Sequence, residues 1–259
     1  MPSNYWSKDW YLEFSDTLAK NVEADPNLIG LVLVGSTSDT FRVDQWSDHD
    51  FFLVTSEGRA EDYRRDLRWL PNADQIAWSP RETAHGLKVV YDFGHVLEFA
   101  VFNDSELTMA KVNAASVSVD KSDIAERVIA MREASKSTGR ADRNAELEIA
   151  LTHILIGVGR YRRGETLIAG EQIRSYLVGN LLSLVADLKS PVPGSESTED
   201  NLNRFRRFET RYPEQSARIQ DLLARDVESA AKGILEFFEE LTPEVTSKTA
   251  VVRARLGWN

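Results

Sequence analysis

Residues Leu31 to Val54 read LVLVGSTSDTFRVDQWSDHDFFLV, and this stretch decides the fold. Two apolar runs of strand length stand in it, the first closing on Gly35-Ser36 and the second opening on Asp48, His49 and Asp50. Side chains alternate along a strand, so Asp48 and Asp50 share one face, roughly 7 Å apart, while His49 points the other way. Two carboxylates held so close repel, and burying them without a cation or several hydrogen bonds is costly. The pattern asks for a divalent cation and for a third carboxylate on a neighbouring strand. For His49 the expected role is a ring packed or hydrogen-bonded behind the strand.

Upstream, Ser7 is a helix cap, and Trp10, Tyr11, Phe14, Leu18 and Val22 recur at helical spacing until Asp25-Pro26. Downstream, AEDYRRDLRWL (residues 60–70) predicts a helix stopped by Pro71-Asn72, and QIAWS predicts a short strand. LKVVYD and HVLEFAVF flank Phe93-Gly94 as an antiparallel hairpin. In its second strand Leu97, Phe99 and Val101 face one way, and Val96, Glu98, Ala100 and Phe102 the other. That second face presents a single carboxylate, Glu98, among apolar neighbours.

From about residue 121 the pattern turns helical, with helices predicted over 121–134, 142–163, 167–189, 198–211 and 214–241. Leu147, Leu151, Ile154, Leu155 and Val158 on one helix, and Ile173, Leu177, Leu181, Leu184 and Leu188 on the next, have bundle spacing. KSPVPGSEST is a loop. The reading is an α+β chain: a sheet-containing domain over 1–138, then a helical domain over 139–259.

At 259 residues and 42% hydrophobic content the chain is long enough for one large domain or two modest ones. No apolar run approaches a membrane span, and the N-terminus lacks the pattern of a secretory signal. The absence of cysteine excludes disulfides and thiolate metal sites and fits a cytoplasmic location. Residues 1–120 hold 10 Lys/Arg against 20 Asp/Glu and residues 121–259 hold 21 of each, so the net charge of −10 lies in the first half. Such a field disfavours nucleic acid as a partner and favours metal ions and cationic small molecules.

Mg²⁺ suits an all-carboxylate site and keeps waters and substrate phosphates as its other ligands. Two such ions serve phosphoryl or nucleotidyl transfer, one holding the triphosphate and one lowering the pKa of an attacking hydroxyl. Gly35-Ser36 supplies a phosphate holder, because glycine permits close backbone approach and exposed N–H groups with the Ser36 hydroxyl bind anions. Thr37 and Ser38 are expected to extend that cradle. Each piece alone has an ordinary reading: a turn for Gly-Ser, a solvated loop end for Asp-His-Asp, an exposed edge residue for Glu98. Their order in one chain points to a site.

VGSTSDTFRVDQWSDHDFFLV resembles the hG[GS]…Dh[DE]h signature of the DNA polymerase beta nucleotidyltransferase superfamily, and VLEFAVF is similar to the strand bearing its third carboxylate. The resemblance implies a mixed sheet flanked by helices, with Gly35 and Ser36 on the triphosphate of ATP and Asp48 and Asp50 on two Mg²⁺ ions. Glu98 would complete the metal site and help activate the acceptor hydroxyl. His49 departs from the signature, which usually has an apolar residue there. A domain of this kind followed by a helical bundle is similar to antibiotic nucleotidyltransferases, which adenylylate aminoglycosides or lincosamides and so confer antibiotic resistance.

The second half is expected to add positive charge to the triphosphate. GRYRRGE (159–165) places Arg160, Arg162 and Arg163 at a helix end, where Arg160 and Arg163 serve either as ATP contacts or as compensation for the helix dipole. Arg174 is a second candidate, and Glu171 a candidate for a cationic acceptor. In NRFRRFETRY (203–212), Phe205, Phe208 and Tyr212 are spaced as a buried helix stripe. Two further readings stay open: a protein hydroxyl as the acceptor, and a nucleotide-binding regulatory or antitoxin-like module without turnover.

Overall fold

The computed structural model describes residues 7–35, 37, 38, 41, 43–112, 114–136, 142–195, 198–200 and 202–258. The chain divides into two compact units, Met1–Thr138 and Gly139–Asn259.

The first unit is built on a six-stranded mixed sheet in the order β3-β4-β5-β2-β1-β6. Its strands are β1 (Leu28–Val34), β2 (His49–Thr55), β3 (Ile76–Trp78), β4 (Gly86–Tyr91), β5 (Val96–Asn103) and β6 (Ala115–Asp120). Only the β2–β5 pair is parallel among the described strands. The hairpin turn between β4 and β5 has Gly94 at φ +87°, the left-handed conformation glycine adopts without strain.

The alternation of β2 sorts its residues between two apolar layers. Helix α1 (Lys8–Ala24) lays Phe14, Leu18 and Val22 against Leu31, Phe51, Leu53, Leu97, Phe99 and Val101. On the other face Val32, Val54 and Phe102 pack with Ile124 and Val128 of α3 (Ile124–Lys136). Ser7 caps α1, its hydroxyl accepting from Trp10 N–H at 3.1 Å.

Helix α2 is shorter than its pattern suggests, covering Ala60–Arg65. The Asp66 carboxylate accepts the Arg68 N–H at 3.1 Å, a local bond that competes with helix continuation, and Leu70 reaches the core from the turn that follows. Strand β6 has no counterpart among the expected strands. Its sequence, ASVSVD, interleaves serines with valines, and only Val119 in it is buried.

The second unit is helical: α4 (Arg143–Arg162), α5 (Thr166–Glu171), a π-helical segment (Gln172–Leu177) leading into α6 (Val178–Leu188), α7 (Phe208–Arg211), α8 (Pro213–Leu223), α9 (Val227–Leu241) and α10 (Thr246–Leu256). Leu151, Ile154, Ile173, Leu181, Ile234 and Phe238 lie in its core. No described helix is long and apolar enough to cross a membrane.

Two helical expectations fail here. Among the described residues of 198–211 the α-helix is confined to Phe208–Arg211, because Asp200 Oδ1 accepts the N–H groups of Leu202 and Asn203 at 3.1 Å each and Arg207 is left-handed at φ +58°. Phe208 and Tyr212 are buried as the stripe predicts, but Phe205 is exposed. The span 214–241 breaks before Asp226, whose carboxylate caps α9 by accepting from Glu228 and Ser229 N–H at 3.0 Å each.

Candidate active site

The parallel register of β2 and β5 sets Asp50 directly beside Glu98, on the α3 side of the sheet. Asp48 lies one residue before β2, and its carboxylate joins theirs. One oxygen from each of the three carboxylates lies within 4.8 Å of the others. Asp48 and Asp50 are half-buried and Glu98 is exposed.

Three hard oxygen donors this close suit a divalent cation of the Mg²⁺ or Mn²⁺ kind, with sides left open for water or phosphate. A positive group already adjoins the cluster. Lys88 is the register partner of Glu98 on β4, and its Nζ lies 3.6 Å from Glu98 Oε1 and 3.0 Å from Glu82 Oε1. Hydrogen bonding to Glu82 and the charge of Glu98 raise the Lys88 pKa above its ordinary value.

Gly35 closes β1 in the left-handed region, at φ +59°, where a side chain is strained. A Cβ built there would stand 2.4 Å from Asp50 Oδ2, so any other residue would displace the carboxylate. The glycine that ends β1 thus lies directly against the acid that opens β2. Ser36 falls outside the described residues.

Thr37 and Ser38, expected to extend a phosphate cradle, direct their hydroxyls to partners within the chain. Thr37 is 3% exposed, and its Oγ1 lies 2.7 Å from the Tyr11 hydroxyl and accepts Asp50 N–H at 2.9 Å. The Ser38 hydroxyl donates to the Gly35 carbonyl at 2.8 Å.

His49 turns away from the two aspartates into the α1 face and is fully buried. Its ring stacks on Tyr11 with centroids 3.7 Å apart, and its Nδ1 lies 2.7 Å from Nε2 of His95, also buried. Its Nε2 lies 2.9 Å from Ser15 Oγ, and the Ser15 hydroxyl donates to the Tyr11 carbonyl at 3.1 Å. With both rings neutral every proton has a place: His95 Nε2–H donates to His49 Nδ1, and His49 Nε2–H donates to Ser15. Burial pushes His95 down to about 4, and burial with the neighbouring imidazole pushes His49 well below its ordinary value.

Arg160 and Arg163 belong to the second unit. Arg160 donates to Gln172 Oε1 at 3.3 Å, and Arg163 pairs with Glu165 at 2.9 Å. Arg174 donates to the Arg225 carbonyl at 2.9 Å, and Glu171 accepts from the Tyr176 hydroxyl at 3.3 Å.

Sequence reasoning missed Lys88, Tyr11 and His95. The first had a signal: Phe93 is midway between residues 88 and 98, so a hairpin turning there pairs Lys88 with Glu98. The other two arrive from a helix and a loop that no local pattern ties to β2.

No protein-family model and no curated protein sequence matches the chain. Among solved structures it is similar to an aminoglycoside 6-adenyltransferase from Bacillus subtilis, with 13% identity and a TM-score of 0.31, covering 98% of this chain and 92% of that one. It is also similar to a STING-associated CdnE c-di-GMP synthase from Capnocytophaga granulosa, with 10% identity and a TM-score of 0.29, covering 92% and 82%. Likeness this slight carries no weight for function, which rests on the geometry of the site.

Proposed function

We propose that this chain is a divalent-cation-dependent nucleotidyltransferase. It moves a nucleoside monophosphate, AMP from ATP, onto a hydroxyl of a small molecule such as an aminoglycoside or lincosamide, and releases pyrophosphate. The observation that supports this is the convergence of Asp48, Asp50 and Glu98 within 4.8 Å beside the left-handed turn at Gly35.

Asp48, Asp50 and Glu98 would hold two Mg²⁺ ions. When bound, the ions neutralise triphosphate charge and lower the pKa of the attacking hydroxyl. Glu98, the exposed member, accepts the hydroxyl proton as the acceptor oxygen bonds to the α-phosphorus and the bond to the bridging oxygen breaks. Gly35 gives the phosphates close access to backbone, and Ser36 joins it as a sequence candidate. Arg160 and Arg163 enter as sequence candidates for charge on the triphosphate, tested by replacing each with Met.

The test is incubation with labelled ATP, Mg²⁺ and a panel of aminoglycosides and lincosamides. The expected result is labelled acceptor with stoichiometric pyrophosphate. Absence of pyrophosphate release with every acceptor, together with no Mg²⁺-ATP binding by calorimetry, overturns the proposal. Label on protein instead of drug would redirect it to a protein acceptor.

A further inference from the structure

The strand that carries the aspartates outruns its neighbour. β1 pairs with β2 as far as Val34 opposite Asp50, and the chain then turns away at Gly35. Beyond that point side chains take the place of a strand. Asp50 N–H is met by Thr37 Oγ1 at 2.9 Å, and the Asp48 carbonyl accepts from the Tyr11 hydroxyl at 2.7 Å.

Proton accounting joins these contacts into one ring. Tyr11 has a single hydroxyl proton, and it goes to the Asp48 carbonyl. The 2.7 Å contact between the Tyr11 and Thr37 oxygens is then made by the Thr37 proton. Thr37 also lies 3.5 Å from the Asp48 carbonyl, a much longer alternative. Bonds run from Asp50 N–H through Thr37 and Tyr11 to Asp48 C=O, spanning His49, on which the Tyr11 ring is stacked.

Resting on the proposed function, we infer that Tyr11 and Thr37 are positioning residues that set the spacing of the two metal-binding aspartates. The ring grips the backbone on either side of His49, so the carboxylates of Asp48 and Asp50 project at a fixed separation. Thr37 is two residues past Gly35, so the same ring ties the glycine turn to the acid it lies against. Both residues are buried, where hydrogen bonds are stiff and their loss is felt.

Thr37→Val removes the hydroxyl at nearly constant size, Thr37→Ser keeps it, and Tyr11→Phe removes the next link. Val22→Ala weakens the α1 packing without touching the ring. Each variant of the full chain is titrated with Mn²⁺ alone, read by electron paramagnetic resonance, and melted in parallel. Thr37→Val and Tyr11→Phe should lose about tenfold in Mn²⁺ affinity, the scale of contacts that orient metal ligands, while Thr37→Ser stays near wild type. Val22→Ala should melt lower with affinity unchanged.

Wild-type Mn²⁺ affinity in Thr37→Val and Tyr11→Phe overturns the inference and leaves the proposed function standing, as does an equal loss in Val22→Ala. If Thr37→Val does not fold, Tyr11→Phe decides. A wild-type chain that binds neither Mn²⁺ nor Mg²⁺-ATP overturns both readings.

Discussion

Asp48, His49 and Asp50 are consecutive, yet the two faces of their strand hold opposite chemistries. On the α3 side three carboxylates crowd within 4.8 Å, half open to solvent, with the Lys88 ammonium at their edge. On the α1 side a buried imidazole pair, a half-buried serine and a buried tyrosine form a neutral set in which each proton has an acceptor. On the proposed reading one face takes up and releases a cation, and the other holds the backbone still while it does. Polar residues at the start of a buried strand are stable on both sides for different reasons, and substitutions should separate those reasons.

The largest separation is expected from Asp50→Asn. Nucleotidyl transfer should fall on the order of a thousandfold, the rate equivalent of several kcal/mol of lost charge stabilisation. Thermal stability without metal should hold or rise, because a carboxylate leaves a cluster of like charges. Unchanged turnover would remove Asp50 from the proposed metal site and erase the contrast between the faces.

The neutral face should show itself in pH dependence. His95 titrates near 4 when folded against about 6.5 when unfolded, and His49 is depressed in the same direction. Between those values the unfolded chain binds more protons, so stability falls as pH drops from about 6.5 toward 4. A gap of about 2.5 units corresponds to a loss of about 3 kcal/mol from His95. Urea unfolding from pH 7.5 to 4.5 measures it. His95→Leu should flatten this slope while lowering stability at neutral pH, since His49 Nδ1 then loses its donor. An unchanged slope would mean the imidazole pair is not what couples this face to protons.

The contrast between the faces was only half legible in the sequence. The period of two put Asp48 and Asp50 opposite His49 and set Glu98 alone among apolar residues on one face of its own strand, while its place beside the aspartates was implied only by the family resemblance. The alternation needs only local pattern, whereas the parallel pairing of β2 with β5 that sets Glu98 beside Asp50 is non-local. The ring behind the site escaped because Tyr11 and Thr37 are 26 residues apart, on a helix and in a turn, and their contact depends on how α1 packs on the sheet. In the helical unit the apolar spacing located the core helices α4 and α6. It overran at Asp200 and Asp226, where acidic side chains bond backbone N–H groups and end or begin helices within an otherwise helical pattern.

The smallest effect tests where the carboxylate face ends. Lys88 is the resident cation of Glu98, held opposite it by the β4–β5 register, and a divalent ion at the triad must compete with it. Both side chains are well exposed, at 37% and 48%, so solvent screens the pair and limits that competition. Lys88→Met should tighten Mn²⁺ binding by roughly twofold at low ionic strength, with the difference shrinking in salt. Because Glu82 shares the ammonium at 3.0 Å, only part of the gain comes from freeing Glu98, and the gain should shrink in Glu98→Gln, where the ligand that Lys88 pairs with has lost its charge. Weaker Mn²⁺ binding in Lys88→Met would reverse the assignment: the lysine would then be orienting Glu98 toward the metal, and the carboxylate face would owe its geometry to β4 as well as to the ring behind β2.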